Sequence, residues 1–287
     1  MERINNYKII KPILFSNDST TYEAFDEWTN RRVAIKIFTS DVLISNFRQK
    51  LKFDPILLGF SSLYHENINT LLDLIIIDDC IAIISEYLIG KTLDELLIEK
   101  GRLPIVDFTL LLNQIISAFY YAHEIGGIHG NLTPSNIFIQ ENGNIKILGI
   151  GERYLFGNNY TSEIQNQGVR CFITPEEFIN GTDLIDYQSD IYCVGLILFY
   201  ALTGLKPNFN CGFLLSENKT FNPFPNYDYT ESEKKFELII KKACQLKKHN
   251  RFDSFKTLQK DSLTNSNYNI TLPKADRSWL QKLFGAE

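Results

Sequence analysis

The sequence predicts an α+β chain of two lobes, β-rich in its first third and mainly helical afterwards. Three observations carry this. Residues 7–38 hold three strand-like runs, YKIIKPIL, TTYEAFD and RRVAIKIF, with Thr29-Asn30-Arg31 as the turn between the last two. LLDLIIIDDCIAIISEYL places two apolar runs around Asp78-Asp79, the pattern of a hairpin. From residue 93 the spacing becomes helical, in TLDELLIEKG and FTLLLNQIISAFYYAHEIG. The expected boundaries are 1–262 for the folded domain, with a first lobe over about 1–87 and a second over about 88–262. Residues 263–287 form a linker and short tail.

The remaining segments follow in order. Residues 41–52 read as a helix with Asp41 near its start; Asp54-Pro55 interrupts it and starts a fresh one over 55–64. NIFIQENGNIKIL is a short hairpin around Asn142-Gly143, and 152–172 is polar and irregular. The chain is then mainly helical to about 260. Its longest apolar stretch, Ile191 to Leu202, is shorter than the about 20 residues a membrane span needs, so it reads as a buried helix. Asp261 to Asn269 is rich in Ser and Asn and reads as a linker. Beyond it, Trp279, Leu280, Leu283 and Phe284 share one face of a short helix that folds back on the domain or docks on another protein.

Composition excludes several classes. Hydrophobic residues make up 44% and charged residues 22% of the 287, enough to build a core and unlike a disordered chain. A net charge of −5 and a pI of about 5.5 argue against non-specific nucleic-acid binding. The five cysteines, Cys80, Cys171, Cys193, Cys211 and Cys244, are scattered and form no C-x-x-C pair, so reduced thiols are expected. The four histidines, His65, His123, His129 and His249, show no metal spacing. The N-terminus MERINNYKIIKP lacks the apolar run of a signal peptide, which predicts a soluble cytoplasmic protein with no membrane span. Lys234, Lys235, Lys241, Lys242, Lys247 and Lys248 would flank a helix burying Phe236, Ile239, Ile240 and Ala243. They form a solvated amphipathic face, with a basic surface for an acidic partner as the sharper alternative.

An ordered set of motifs carries a resemblance. Val33-Ala34-Ile35-Lys36 matches V-A-I-K; His65-Glu66-Asn67-Ile68 and Ser85-Glu86-Tyr87-Leu88 follow; His129-Gly130-Asn131-Leu132-Thr133-Pro134-Ser135-Asn136 aligns with H-R-D-L-x-x-x-N; Thr174-Pro175-Glu176 aligns with A-P-E; Asp190 to Gly195 matches D-x-x-x-x-G; and Arg251 comes last. Over about residues 7 to 260 the chain resembles a eukaryotic-like (Hanks-type) Ser/Thr protein kinase. The resemblance implies a bilobal kinase-like fold, with a β-rich N-lobe and a mainly helical C-lobe. It implies a structural task for His129, Glu176, Asp190 and Arg251, with Arg251 pairing to Glu176. It also implies an adenine slot between Ala34, the hinge at Glu86 to Leu88, and Phe138, with Lys36 and Asn136 the retained members of the chemical set.

The departures fall on the chemistry. Where a glycine-rich phosphate loop belongs, Leu14 to Thr21 contains no glycine and reads as an ordinary strand turn. Counting back from His65 puts the regulatory-helix glutamate at Ile56; the nearest carboxylate, Asp54, is two positions away and on roughly the opposite face. The Lys36–Glu pair is therefore not expected to form in the usual way. The metal-binding Asp of D-F-G is Gly149, and Glu152 three residues on reads as a solvated loop carboxylate, with approach to a metal as its alternative. The catalytic Asp is Asn131, the Arg before it Gly130, and the following Lys Thr133. Without that Arg no basic pocket for a phosphorylated activation segment is expected.

Magnitudes set the expectation. A missing general base alone costs about 10²–10⁴-fold, and losing the metal Asp removes the main clamp on the phosphates. No catalytic residue is intact and no metal site is expected, since magnesium prefers carboxylates to a lone Asn136. The sequence thus points to a pseudokinase, a regulatory or scaffolding module for protein partners, with weak, largely magnesium-independent ATP binding or none. The alternative is an atypical Ser/Thr kinase or other ATP-dependent transferase that recruits non-standard residues such as Glu152.

Overall fold

The first lobe is a six-stranded antiparallel sheet in the order β1-β2-β3-β4-β6-β5. Its strands are β1 (Arg3–Ile4), β2 (Tyr7–Phe15), β3 (Ser19–Asp26), β4 (Arg31–Phe38), β5 (Leu71–Ile77) and β6 (Cys80–Glu86). The computed structural model describes residues 2–16, 19–39, 43–45, 47, 63–77, 80–156, 170–180, 184–208 and 222–264. The register between β3 and β4 is unbroken from Ser19↔Phe38 to Asp26↔Arg31. Turn chemistry fixes it: Asn30 is left-handed (φ 55°), and the Asp26 carboxylate accepts from Trp28 N at 3.0 Å. In β2 the register shifts on either side of Pro12, which has no N–H to give to the ladder.

A second sheet opens the other lobe, in the order β7 (Gly90–Thr92), β8 (Ile137–Gln140), β9 (Ile145–Ile147). Helices bounded within the described residues are α1 (Leu93–Lys100), α2 (Ile105–Glu124), α3 (Glu152–Phe156), α4 (Pro175–Asn180), α5 (Tyr187–Thr203), α6 (Lys234–Ala243) and α7 (Phe255–Thr264). A capping box between Thr92 and Glu95 starts α1. Asp186 caps α5 by accepting from Gln188 N (2.9 Å) and Ser189 N (3.2 Å). Every residue of α5 from Ser189 to Thr203 is buried, as a helix apolar on all sides should be. Among the described residues, α2 is long and apolar enough to pass as a membrane span by length and composition alone; here one of its faces lies in the core. α6 buries Phe236, Ile239, Ile240 and Ala243 as expected. Its lysines are laced to acids: Lys234 to Glu231, Lys241 to Glu237 and Lys242 to Asp261, the solvated amphipathic reading.

Two cores result. A large one joins α1, α2, α5, α6, α7 and the inner face of the first sheet; a smaller one, including Ala24, Val33, Ile35, Ile75 and Ile84, covers that sheet's other face. The lobes are pinned where Ile147 N donates to Asn67 O (2.8 Å) and Asn69 N to Ile147 O (2.9 Å).

Several boundaries differ from expectation. The segment from 152, expected to be irregular, begins with α3, because Glu152, Leu155 and Phe156 all find partners in the fold. The first turn of α2 precedes residue 108, following Pro104, which is suited to a helix start. α7 continues through Thr264, past the boundary drawn at 262 and into the stretch expected to be linker. Strands β1 and β7 are too short to read from sequence. In the 41–52 helix only Leu43–Ser45 and Phe47 are described, and they are helical. The fresh helix over 55–64, including Ile56, lies outside the described residues, except that Leu63 and Tyr64 are described and not helical. The tail at 270–287 and Cys211 also lie outside them.

Candidate functional site

The loop from His129 to Asn136 is suspended from α5. The fully buried Asp190 carboxylate accepts from His129 N (2.9 Å), Gly130 N (2.8 Å) and His123 Nε2 (3.0 Å). The His129 ring donates from Nε2 to Leu148 O (2.9 Å), and its Nδ1 accepts from Asn131 N (3.3 Å). Both bonds together require the neutral ring. Burial pushes its pKa below the ordinary histidine value, against the pull of Asp190. A 3₁₀ turn, Pro134–Asn136, ends the loop. Thr133 N and Thr133 Oγ1 both donate to Asn136 Oδ1, at 2.9 Å each, and Asn136 N donates back to Thr133 O at 3.0 Å. The carbonyl oxygen that would ligate a metal therefore has both lone pairs engaged.

The segment after β9 holds the largest correction. Gly149 stands left-handed (φ 79°), and a Cβ built on it would lie 3.4–3.6 Å from the carboxylate group of Glu152. That carboxylate is not solvated. Glu152 Oε2 accepts from Lys36 Nζ at 2.6 Å, with both side chains largely buried. The lysine of β4 is thus paired with the first residue of α3. The rest of α3 is held by apolar packing: Phe156 is fully buried, its ring 4.2 Å from that of Phe38 and 5.8 Å from that of Phe47.

The next residue, Arg153, fills a second vacancy. Gly130 is left-handed (φ 70°), and a Cβ there would lie 2.7 Å from Arg153 Cδ. The Arg153 guanidinium donates to Gly130 O and, from both terminal nitrogens, to Glu177 Oε1 at 3.1 Å. Burial raises the Glu177 carboxyl, and Arg153 pulls it back down without cancelling the effect. An arginine does reach this place, but from the activation segment, and it is already occupied by Gly130 O and Glu177.

The residues that the resemblance assigns to an adenine slot lie on β4, β6, β8 and the segment after β6. Ala34 and Ser85 face each other across β4 and β6, and Leu88 and Phe138 are half-buried. Phe138 lies on the opposite face of β8 from the buried Ile137 and Ile139. The Glu86 side chain is committed elsewhere: Oε1 accepts from Thr70 N (2.8 Å) and Lys146 Nζ (2.6 Å), tying the hinge to β9. The hinge is also braced by Tyr87, whose hydroxyl donates to Glu23 (3.2 Å) beneath the Arg32 guanidinium. Burial works against the charge on Glu23, but Arg32 and Tyr87 hold its carboxyl below the usual range. At the strand turn, Ser16 N donates to Ser19 O (2.9 Å), so the turn closes on itself.

In the C-lobe, Arg251 Nη1 and Nη2 donate to Glu176 Oε1 and Oε2 at 2.8 and 2.7 Å, and Ser189 Oγ donates to Oε1 at 2.6 Å. All three residues are buried. Burial opposes the Glu176 charge, and the bond from Arg251 wins and keeps its carboxyl below the ordinary range.

The protein kinase domain family matches residues 15–263. The chain belongs to the protein kinase family. It is 33% identical over 207 residues to the serine/threonine-protein kinase PrkC of Bacillus subtilis, covering 70% of this chain and 31% of that protein. It is 28% identical over 210 residues to a probable serine/threonine-protein kinase PknB of Lactococcus lactis, covering 71% and 32%. The fatty acyl-CoA synthetase and RNA processing-associated kinase 1 of Saccharomyces cerevisiae is 27% identical over 295 residues, covering 93% of this chain and 33% of that protein. The chain spans about a third of the length of these curated relatives.

Among the described residues, those at the expected places do not fit the magnesium ion that kinase chemistry uses. Gly149 offers no ligand, Asn136 Oδ1 is spent on Thr133, and Glu152 is bound to Lys36. Among the described residues no group of three or more His, Cys, Asp or Glu side chains could hold a metal ion. The sequence reading missed Arg153 altogether and gave Glu152 to solvent. A usable signal was present: two opposite charges directly after Gly149-Ile150-Gly151, in a chain that also has a glycine at 130.

Proposed function

We propose that this kinase domain is a pseudokinase: a regulatory or scaffolding module that presents a kinase-shaped surface to protein partners and does not carry out metal-dependent phosphoryl transfer. One observation carries the reading. Lys36 and Asn136, the two chemical residues that remain, are both engaged with the protein itself, Lys36 with Glu152 at 2.6 Å and Asn136 Oδ1 with Thr133. The positions of the general base and the metal carboxylate are Asn131 and Gly149, and an amide oxygen is too weak a base to accept a proton near neutral pH. The scaffold residues Asp190, Glu176 and Arg251 stay bonded and buried, which favours selection for shape. A cytoplasmic setting is part of the proposal. The test is a thermal-shift titration with ATP, with and without magnesium. Magnesium should add no stabilisation; a magnesium-dependent rise in Tm that disappears in Lys36→Ala would contradict the reading.

One observation favours a second reading, an atypical transferase. The Glu152 carboxylate lies beside the place where the metal-binding Asp would project from residue 149, so it could serve as a substitute ligand if it left Lys36. Tight binding of ATP with magnesium, lost in Glu152→Gln, would favour that reading.

A further inference from the structure

Glu152 and Arg153 are adjacent, and each fills the space left by a glycine where the family has a charged side chain. Glu152 stands beside Gly149, and Arg153 lies over Gly130. Glu152 brings a negative charge to 2.6 Å from Lys36, the cation at the inner end of the cleft. It is fixed there by more than that bond. Arg153 ties α3 to Gly130 O and Glu177, Leu155 and Phe156 are buried, and Phe156 packs on Phe38 and Phe47. The backbone that carries the carboxylate is therefore anchored through α3.

The two ends of the cleft differ in charge. The hinge end presents Ala34, Ser85, Leu88 and Phe138, all uncharged, while the Glu86 carboxylate is turned to Lys146. The inner end holds a fixed carboxylate whose counter-charge is already there. A polyphosphate entering it would meet a like charge and find the Ser16 N–H spent on Ser19 O. We infer that Glu152 is a resident anion at the phosphate end of the cleft, so that the cleft takes uncharged planar ligands, a nucleoside or its base, in preference to nucleoside di- and triphosphates. This inference rests on the pseudokinase reading and gives the ligand class of the same site. It is specificity by exclusion: a repulsive group held in place by the fold.

Calorimetric titration of the full chain with adenosine, ADP and ATP in EDTA-containing buffer, with the ATP titration repeated in excess magnesium, tests it, on the wild type and on Glu152→Gln. The wild type should bind adenosine at least as tightly as ADP or ATP. In Glu152→Gln, where the resident negative charge is gone, the ratio of ATP to adenosine affinity should rise by at least about tenfold. Wild type that binds ATP more tightly than adenosine overturns the inference without any variant, as does wild type that binds none of the three. An unchanged ratio in a folded Glu152→Gln, checked by its melting curve, also overturns it. So does a magnesium-induced tightening of ATP that Glu152→Gln abolishes, since Glu152 would then be a metal ligand. ATP preference without phosphotransfer would remove this inference and leave the pseudokinase reading intact; phosphotransfer would remove that reading whatever the ratio.

Discussion

Lys36 Nζ donates to Glu152 Oε2 at 2.6 Å, and the same carboxylate group lies within 3.4–3.6 Å of the point where residue 149 would carry a Cβ. One side chain therefore pairs with the β4 lysine and stands beside the position where the family's metal-binding carboxylate would project. The pair joins the N-lobe sheet to the activation segment. The lysine is thus part of a structural tie, and the first prediction follows from it.

In a double-mutant cycle with Lys36→Met and Glu152→Gln, the two residues should couple by about 1 kcal/mol or more in folding stability, because they are in direct contact and largely shielded from water. Urea denaturation without nucleotide measures this. Additive effects would show that the pair does not hold the fold.

Gly130→Ala should destabilise by about 1–3 kcal/mol, since residue 130 is left-handed and the new methyl meets Arg153 Cδ. Arg153→Ala should cost about 3–5 kcal/mol by leaving Glu177 buried without its partner. Combined, the two should cost less than their sum, because removing the Arg153 side chain clears the space that the new methyl needs. Denaturation midpoints of the three variants check this.

Arg251→Ala should lower stability by about 3–5 kcal/mol, as expected on breaking a buried pair from one side. Glu176 would keep Ser189 Oγ (2.6 Å) and the more distant Lys248 Nζ (3.9 Å) but lose its bidentate partner. Replacing both residues by apolar ones of similar volume should recover part of the loss, which chemical denaturation would read directly.

His129 gives a pH dependence with a definite sign. Its folded pKa lies below the ordinary 6.5 because the ring is buried, so it stays neutral while the unfolded chain takes up a proton. Above pH 6.5 both states are neutral and stability is full. As pH falls from 6.5 towards the folded pKa, stability drops by up to about 1.4 kcal/mol per pH unit. His65, also depressed by burial, adds to the same slope. In His129→Gln the slope between pH 6.5 and 5 should shrink by about one proton's share. Stability curves at four or five pH values measure it.

Much of the fold could be read from the chain because the local signals agreed. The alternation in β3 and β4, the Asp26 and Asn30 turn, the Thr92–Glu95 box and the inward set of α6 are all short-range patterns. What escaped was set by contacts distant in sequence. α3 is five residues long, below any periodicity test, and it exists because Lys36, Phe38 and Gly130 receive its side chains. β1 and β7 are two- and three-residue strands defined by their partners. In the site, the losses at Asn131 and Gly149 were legible as substitutions. Their refilling by Glu152 and Arg153 was not, because a sequence shows which side chain is missing at a position and not which one moves into the space.

The most direct test of the central claim, that this kinase domain does not transfer phosphoryl groups, is a radiometric assay of the purified chain with labelled ATP, magnesium and generic protein substrates, beside Lys36→Ala. The account predicts incorporation at background for both proteins. Magnesium-dependent incorporation by the wild type that vanishes in Lys36→Ala would contradict it.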